Sequence, residues 1–160
     1  MRFVIVTGIS GAGKSTALKF LEDAQYFCVD NLPIPLLEKF ASMTLSMNSE
    51  EIRNVALGVD VRSGQQLGDL ESILEKMRQQ GYQFEILFLD ASDEVLIKRY
   101  KESRRNHPLA PDGRVDEGIQ LERKKLEFLR NQADYVINTS RMLTRELKKE
   151  IIRIFVDDKE

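Results

Sequence analysis

The stretch Val4–Phe20, VIVTGISGAGKSTALKF, decides the fold. An apolar run ends in a segment with three glycines and a lysine, and a helical pattern starts directly behind it. Gly8, Ile9, Ser10, Gly11, Ala12, Gly13, Lys14 and Ser15 fit the spacing G-x-x-x-x-G-K-S/T of a phosphate-binding loop. Such a chain must leave a strand, wrap a phosphate and enter a helix. Glycine permits left-handed backbone angles and lets amides approach phosphate oxygens with no Cβ in the way. The new helix turns its free N–H groups and positive dipole end toward the anion. Lys14 then reaches the β- and γ-phosphates, and Ser15 offers its hydroxyl to Mg²⁺. Thr16 adds a hydrogen bond to the α-phosphate. Chance produces the pattern in roughly one chain of this length in 200, and the flanking strand and helix narrow it further. The expected ligand is ATP or GTP with Mg²⁺.

At 160 residues the chain is expected to form one domain, residues 1–160, with a real core. A hydrophobic share of 42% and a charged share of 31% fit a soluble globular protein. The net charge of -2 implies no global attraction to nucleic acid, so any anion site is local. One cysteine, Cys28, excludes an intramolecular disulfide, and with one histidine, His107, it leaves too few soft ligands for a zinc site. The N-terminal MRFVIV is too short for a signal-peptide core. No segment approaches the roughly 20 apolar residues of a membrane span. The expected location is the cytoplasm, with no membrane partner.

Apolar runs alternate with helical patterns, which predicts βαβ units. Strands are expected at residues 2–7, 26–30, 54–61, 84–89 and 133–137. Helices are expected at 14–23, 33–43, 66–79, from a cap at Ser92 or Asp93 to about Arg104, at 116–131 and at 143–155. The helix at 116–131 carries an apolar stripe at positions 119, 121, 126 and 129. Asn106–Gly113, NHPLAPDG, reads as a loop. The expected architecture is a three-layer α/β, kinase-like P-loop NTPase fold. It has a five-stranded parallel sheet and helices on both faces; the strand order is left open by the pattern.

A magnesium–nucleotide site calls for a second carboxylate at the end of a strand beside the first. Asp60, in ALGVDVR, is preferred. Asp90, in ILFLDAS, ends a more apolar run, but the fourth strand is expected one place further from the first, and Asp90 also suits a helix cap. Asp30, in VDNLP, has two readings: a carboxylate facing a phosphoryl acceptor, or an Asx turn with Asn31 ahead of Pro33. KRYKESRR, Lys98–Arg105, is either a solvated helix end or the root of a lid whose arginines stabilise the transferred phosphoryl group. Arg99, Arg104 and Arg105 are the candidates, with Arg104 and Arg105 favoured. Arg62 faces a phosphate or forms an ion pair. His107 reads as a loop residue, and Arg123, Lys124 and Lys125 as surface. There is no N-K-x-D guanine-reading sequence, and Asp60–Ser63 is not the D-x-x-G of switch GTPases. Asn138–Arg141, NTSR, lies where the base often binds in such folds.

GISGAGKSTALKFLED, CVDNLPIPLL, DVRS, RRNHPL and ADYVINTSRM together resemble the N-terminal domain of the RapZ/YvcJ family of nucleotide-binding proteins, called RNase adapter proteins in some bacteria. The resemblance covers nearly the whole chain. It implies ATP and GTP binding with hydrolysis and no established small-molecule acceptor. It carries the phosphate loop onto Gly8–Ser15 and the family's second nucleotide segment onto Asp60, Val61, Arg62 and Ser63. It also implies a C-terminal domain absent from this chain, associated with RNA or protein partners and with homo-oligomers.

Three functions follow as expectations. The first is a Mg²⁺-dependent regulatory nucleotide-binding domain that hydrolyses ATP or GTP slowly, with Lys14, Ser15, Asp60, Arg104 and Arg105 carrying the chemistry. The second is a small-molecule kinase with Asp30 as acceptor-side base. The third is an RNA or protein interaction module stabilised by nucleotide.

Overall fold

The computed structural model describes residues 2–46, 54–59, 67–103 and 114–156. Five strands form one parallel sheet: β1 (Arg2–Gly8), β2 (Phe27–Leu32), β3 (Asn54–Val59), β4 (Glu85–Asp90) and β5 (Tyr135–Asn138). Their order is β2-β3-β1-β4-β5. The helices are α1 (Lys14–Asp23), α2 (Ile34–Ser46), α3 (Leu67–Gln79), α4 (Asp93–Ser103), α5 (Val115–Gln132) and α6 (Thr144–Phe155).

The central strands are covered on both faces. Phe3–Thr7, Val55–Val59 and Ile86–Asp90 are all buried, as continuous apolar runs in parallel sheets usually are. Helix α1 packs against α6, while α3 packs against α2 and α5, and α5 also meets α4. The expected three-layer architecture is the one observed. Right-handed crossovers account for the layers: the connection through α1 leads toward the β2 edge, and that through α3 passes over β1 toward β4. The C-terminal end of β1 therefore sits where the direction of strand order reverses, the usual place for a ligand crevice.

Two expectations need correcting. The fourth strand is not one place removed from the first; β4 pairs directly with β1, from Val4 opposite Glu85 to Gly8 opposite Leu89. The preference for Asp60 over Asp90 on grounds of strand distance therefore fails, because both β3 and β4 flank β1. The stripe of α5 also differs. It buries Gly118, Ile119, Glu122, Leu126 and Leu129, while Leu121 is 42% exposed. The 3-4-3 spacing from 119 through 122 and 126 to 129 follows the helix more closely than a stripe through 121.

The opposite end of the sheet is tied by polar contacts. Arg2 makes a two-pronged bond to Glu85, at 2.9 and 2.7 Å, and donates to the Ile154 carbonyl at 2.7 Å. The Tyr26 hydroxyl donates to the Phe155 carbonyl at 2.8 Å. These bonds fasten the last turn of α6 to the N-terminal ends of the strands.

Candidate functional site

The predicted loop joins β1 to α1, and its shape depends on glycine. Gly8 has φ 150°, and a Cβ there would lie 2.3 Å from the Leu89 carbonyl oxygen. Gly13, at the N-cap of α1, has φ 112° in the left-handed region. No side chain caps α1, and its first turn carries no acid. Helix geometry leaves the first N–H groups of α1 without intrahelical partners, so Lys14, Ser15 and Thr16 present a positive dipole end. That arrangement suits a bound anion.

The rest of the loop is held by the protein. The Ile9 amide donates to Leu89 O at 3.0 Å, and the Ala12 amide to Ile9 O at 2.9 Å. Thr139, 4% exposed, donates its hydroxyl to the Ala12 carbonyl at 2.7 Å. Arg99 donates to the Gly11 carbonyl at 2.8 Å and to the Thr139 carbonyl at 3.1 Å. On the other side, Glu122 accepts the Ser10 amide at 2.9 Å and the Ser10 hydroxyl at 2.6 Å. Arg99, entertained as a lid residue, thus holds the loop's backbone.

Lys14 lies across the mouth of the loop. Its ammonium donates to the Val59 carbonyl at 3.3 Å and stands 3.4 Å from Asp30. The other Asp30 oxygen accepts from the Ser15 hydroxyl at 3.3 Å. Asp30 also accepts the Asn31 amide at 2.8 Å, and Asn31 has φ 53°. This bond to the adjacent amide is not an Asx turn, and both residues lie in β2, which shifts register between Val29 and Leu32, around Asp30; the carboxylate faces the site. A Cβ at Gly58 would fall 2.6 Å from Asp30 Oδ1 and 2.8 Å from a Leu18 methyl, so a larger residue there would push the Asp30 carboxylate aside.

Asp90 is bound to protein cations. It pairs with Arg123 at 2.9 Å and Arg130 at 3.2 Å, and it accepts the Ala91 amide at 2.8 Å. Ser92, rather than Asp93, caps α4 by accepting the Val95 amide at 3.4 Å. Arg123, expected at the surface, is instead a half-buried tie. It bonds Asp93 at 2.8 Å and the Ala91 carbonyl at 2.7 Å as well as Asp90. Burial alone would lower its basicity, but the hydrogen bonds to Asp90 and Asp93 outweigh that and raise it. Asp90, Arg123 and Arg130 line a cavity of about 360 Å³ together with Ile9, Phe88 and Leu126.

The chain therefore brings together Gly8 to Thr16, Asp30, Arg99, Glu122 and Thr139. Asp60, Val61, Arg62, Ser63, Arg104, Arg105 and His107 lie outside the described residues. Glu122 and Thr139 were missed as loop contacts. The sequence signal for Glu122 is an acid in phase with Ile119, Leu126 and Leu129.

Residues 1–159 match the family described as the RapZ-like N-terminal domain. The chain belongs to that family. The RapZ-like domain is 63% identical to a nucleotide-binding protein of Lachnoclostridium phytofermentans over 158 residues, 99% of this chain and 55% of the relative. It is 56% identical to a nucleotide-binding protein of Agathobacter rectalis over 160 residues, 100% of this chain and 55% of the relative. The chain thus spans about half the length of the curated relatives it matches. Among solved structures, the RapZ-like domain superposes on the shikimate kinase of Acinetobacter baumannii with a TM-score of 0.63 at 19% identity, covering 99% and 95% of the two chains. A gluconokinase of Sinorhizobium meliloti gives a TM-score of 0.54 at 16% identity over 96% and 93%. At such identities the likeness concerns the fold, which is that of the P-loop kinases. Among the described residues of the RapZ-like domain, no helix is long and apolar enough to cross a membrane.

Proposed function

We propose that residues 1–160 form a single Mg²⁺-dependent domain that binds ATP or GTP, hydrolyses it slowly, and acts as a regulatory module in the cytoplasm. The uncapped start of α1 behind a glycine-shaped loop carries this reading. The names of the two relatives, nucleotide-binding proteins, support it. Gly8, Ile9, Ser10, Gly11, Ala12 and Gly13 wrap the phosphates. Lys14 exchanges Asp30 and the Val59 carbonyl for phosphate oxygens. Thr16 serves the α-phosphate, and Asp60–Ser63 form the second nucleotide segment.

The residues at the mouth suit Mg²⁺: Ser15 and Asp30 place a hydroxyl and a carboxylate together, the hard oxygen donors that ion takes alongside phosphates. Ser15 and Asp60 would hold the ion, which supplies charge neutralisation at the phosphates. Arg104 and Arg105 are assigned to the developing charge on the terminal phosphoryl group, and water is the acceptor. RNA or protein partners and homo-oligomers belong, in this proposal, to the longer protein.

A second reading has one observation in its favour. Asp30 stands beside Lys14 and Ser15, where a carboxylate can orient and deprotonate an acceptor hydroxyl in a small-molecule kinase. Incubation of the protein with γ-labelled ATP or GTP and a metabolite extract separates the readings. Free labelled phosphate supports hydrolysis, a labelled organic product supports the kinase, and binding without turnover supports an interaction module. Lys14→Ala lowers affinity and turnover by at least about tenfold. Unchanged nucleotide binding in folded Lys14→Ala protein refutes the site.

A further inference from the structure

The carboxylate of Glu122 is fully buried, at 0% exposure, on a helix face otherwise made of Gly118, Ile119, Leu126 and Leu129. An apolar side chain would suit that position better, because an ionised carboxylate resists removal from water. What Glu122 gains is specific: its two oxygens take the amide and the hydroxyl of Ser10, 112 residues earlier in the chain. Ser10 is the third residue of the glycine loop and only partly buried, so water could have served its donors. The pairing therefore fixes a shape, and the shape concerned is that of the phosphate loop.

We infer that Glu122 is a positioning residue for the polyphosphate site, holding the Ser10 end of the loop so that the amides entering α1 are arranged before nucleotide arrives. The inference rests on the phosphate-binding reading of residues 8–16. Glu122 works from behind, through Ser10. Arg99 and Thr139 hold the next two carbonyls, of Gly11 and Ala12. The loop is thus fixed at three successive residues by α5, α4 and the turn after β5. Losing the first support lets the loop visit other shapes, and the apparent dissociation constant rises by the inverse of the fraction still competent. If one loop in ten stays competent, affinity falls about tenfold.

The chemistry separates bonding from charge. Glutamine can reproduce both contacts, its oxygen accepting the Ser10 amide and its NH₂ donating to the Ser10 hydroxyl. Leucine fills the space and makes neither. Ser10 is only partly buried, so water can serve the donors that leucine leaves unmatched. The full chain and its Glu122→Leu, Glu122→Gln and Ser10→Ala variants are titrated with mant-ATP and mant-GTP in Mg²⁺, with thermal unfolding measured without nucleotide. Expected are a dissociation constant about tenfold higher for Glu122→Leu, with little change in melting temperature, and one within about threefold of wild type for Glu122→Gln. Ser10→Ala, which keeps its amide bond, is intermediate. Wild-type affinity in Glu122→Leu overturns the inference and leaves the phosphate-loop reading standing. So does equal loss in the Gln and Leu variants, which would assign the effect to charge. If Glu122→Leu does not fold, the Gln and Ser10 variants decide: wild-type affinity in Ser10→Ala, or a Gln variant tenfold weak, overturns it. A folded wild-type protein that binds neither nucleotide refutes the phosphate-loop reading itself.

Discussion

Thr139→Val replaces a hydroxyl with a methyl of nearly the same shape at a buried position. The wild-type hydroxyl donates to the Ala12 carbonyl at 2.7 Å and lies 3.3 Å from the Arg99 guanidinium. Ala12 is fully buried, so no water replaces the lost donor and its carbonyl is stranded. A buried acceptor left without its partner costs about 1–3 kcal/mol. For a domain of this size each kcal/mol lowers the melting temperature by roughly 2–4 °C, so a fall of about 2–12 °C is expected. Arg99 keeps its bonds to the Gly11 and Thr139 carbonyls, so the loop loosens without collapsing and triphosphate affinity drops about threefold to tenfold. Thr139→Ser is the control. It keeps the hydroxyl and loses one buried methyl, about 1 kcal/mol, with wild-type affinity. Thermal unfolding with and without nucleotide, together with mant-nucleotide titration, reads both quantities. A valine variant that melts and binds like wild type refutes the reasoning. So does a serine variant that loses as much affinity as valine.

Gly8→Ala is expected to prevent folding or cost at least about 3 kcal/mol, because its Cβ meets the Leu89 backbone, which cannot move aside cheaply; urea unfolding with a wild-type midpoint would contradict this. Burial pushes the Tyr26 hydroxyl up from 10.0 to about 12 and the Cys28 thiol up from 9.0 to about 11. Both groups are neutral when protonated, so their share of stability is whole below pH 9 and is lost as pH climbs toward 12. Tyr26→Phe flattens the part above pH 10, as followed by circular dichroism, and an unchanged profile rejects the assignment. Asp90→Asn loses stability, since Arg123 and Arg130 lose a charged partner, whereas Asp60→Asn loses Mg²⁺ dependence of binding with little change in melting. An exchange of these two phenotypes in magnesium titrations reverses the choice of carboxylate.

The elements were legible because their patterns are local. Lys14–Asp23 is a helix with the ends expected from sequence, since the glycine loop fixes one end and the amphipathic run supplies the rest. The strand order was not legible, because apolar runs alone do not say which neighbour a buried strand takes. The partners of Glu122 and Arg123 were unreadable for the same reason, although the phase of Glu122 with Ile119, Leu126 and Leu129 marks it as buried. Those partners lie far away in the chain, at Ser10 and at Asp90, and a charged pair on a helix looks solvated until the packing is known. Leu121 was drawn into the core stripe by its hydrophobicity alone. Asp30 was half legible: its place near a strand end is local, but its approach to Lys14 depends on how β2 and β3 lie beside β1.

Helix α6 runs the depth of the domain. Leu147, in its first turn, has a methyl 3.6 Å from where a Gly13 side chain would start, and its last turn is held by Arg2 and Tyr26 at the far pole. Twelve residues make a strut about 18 Å long. One rigid member thus ties the pole away from the phosphate loop to Gly13 itself, so a strain applied at either end of α6 reaches the other without passing through the sheet.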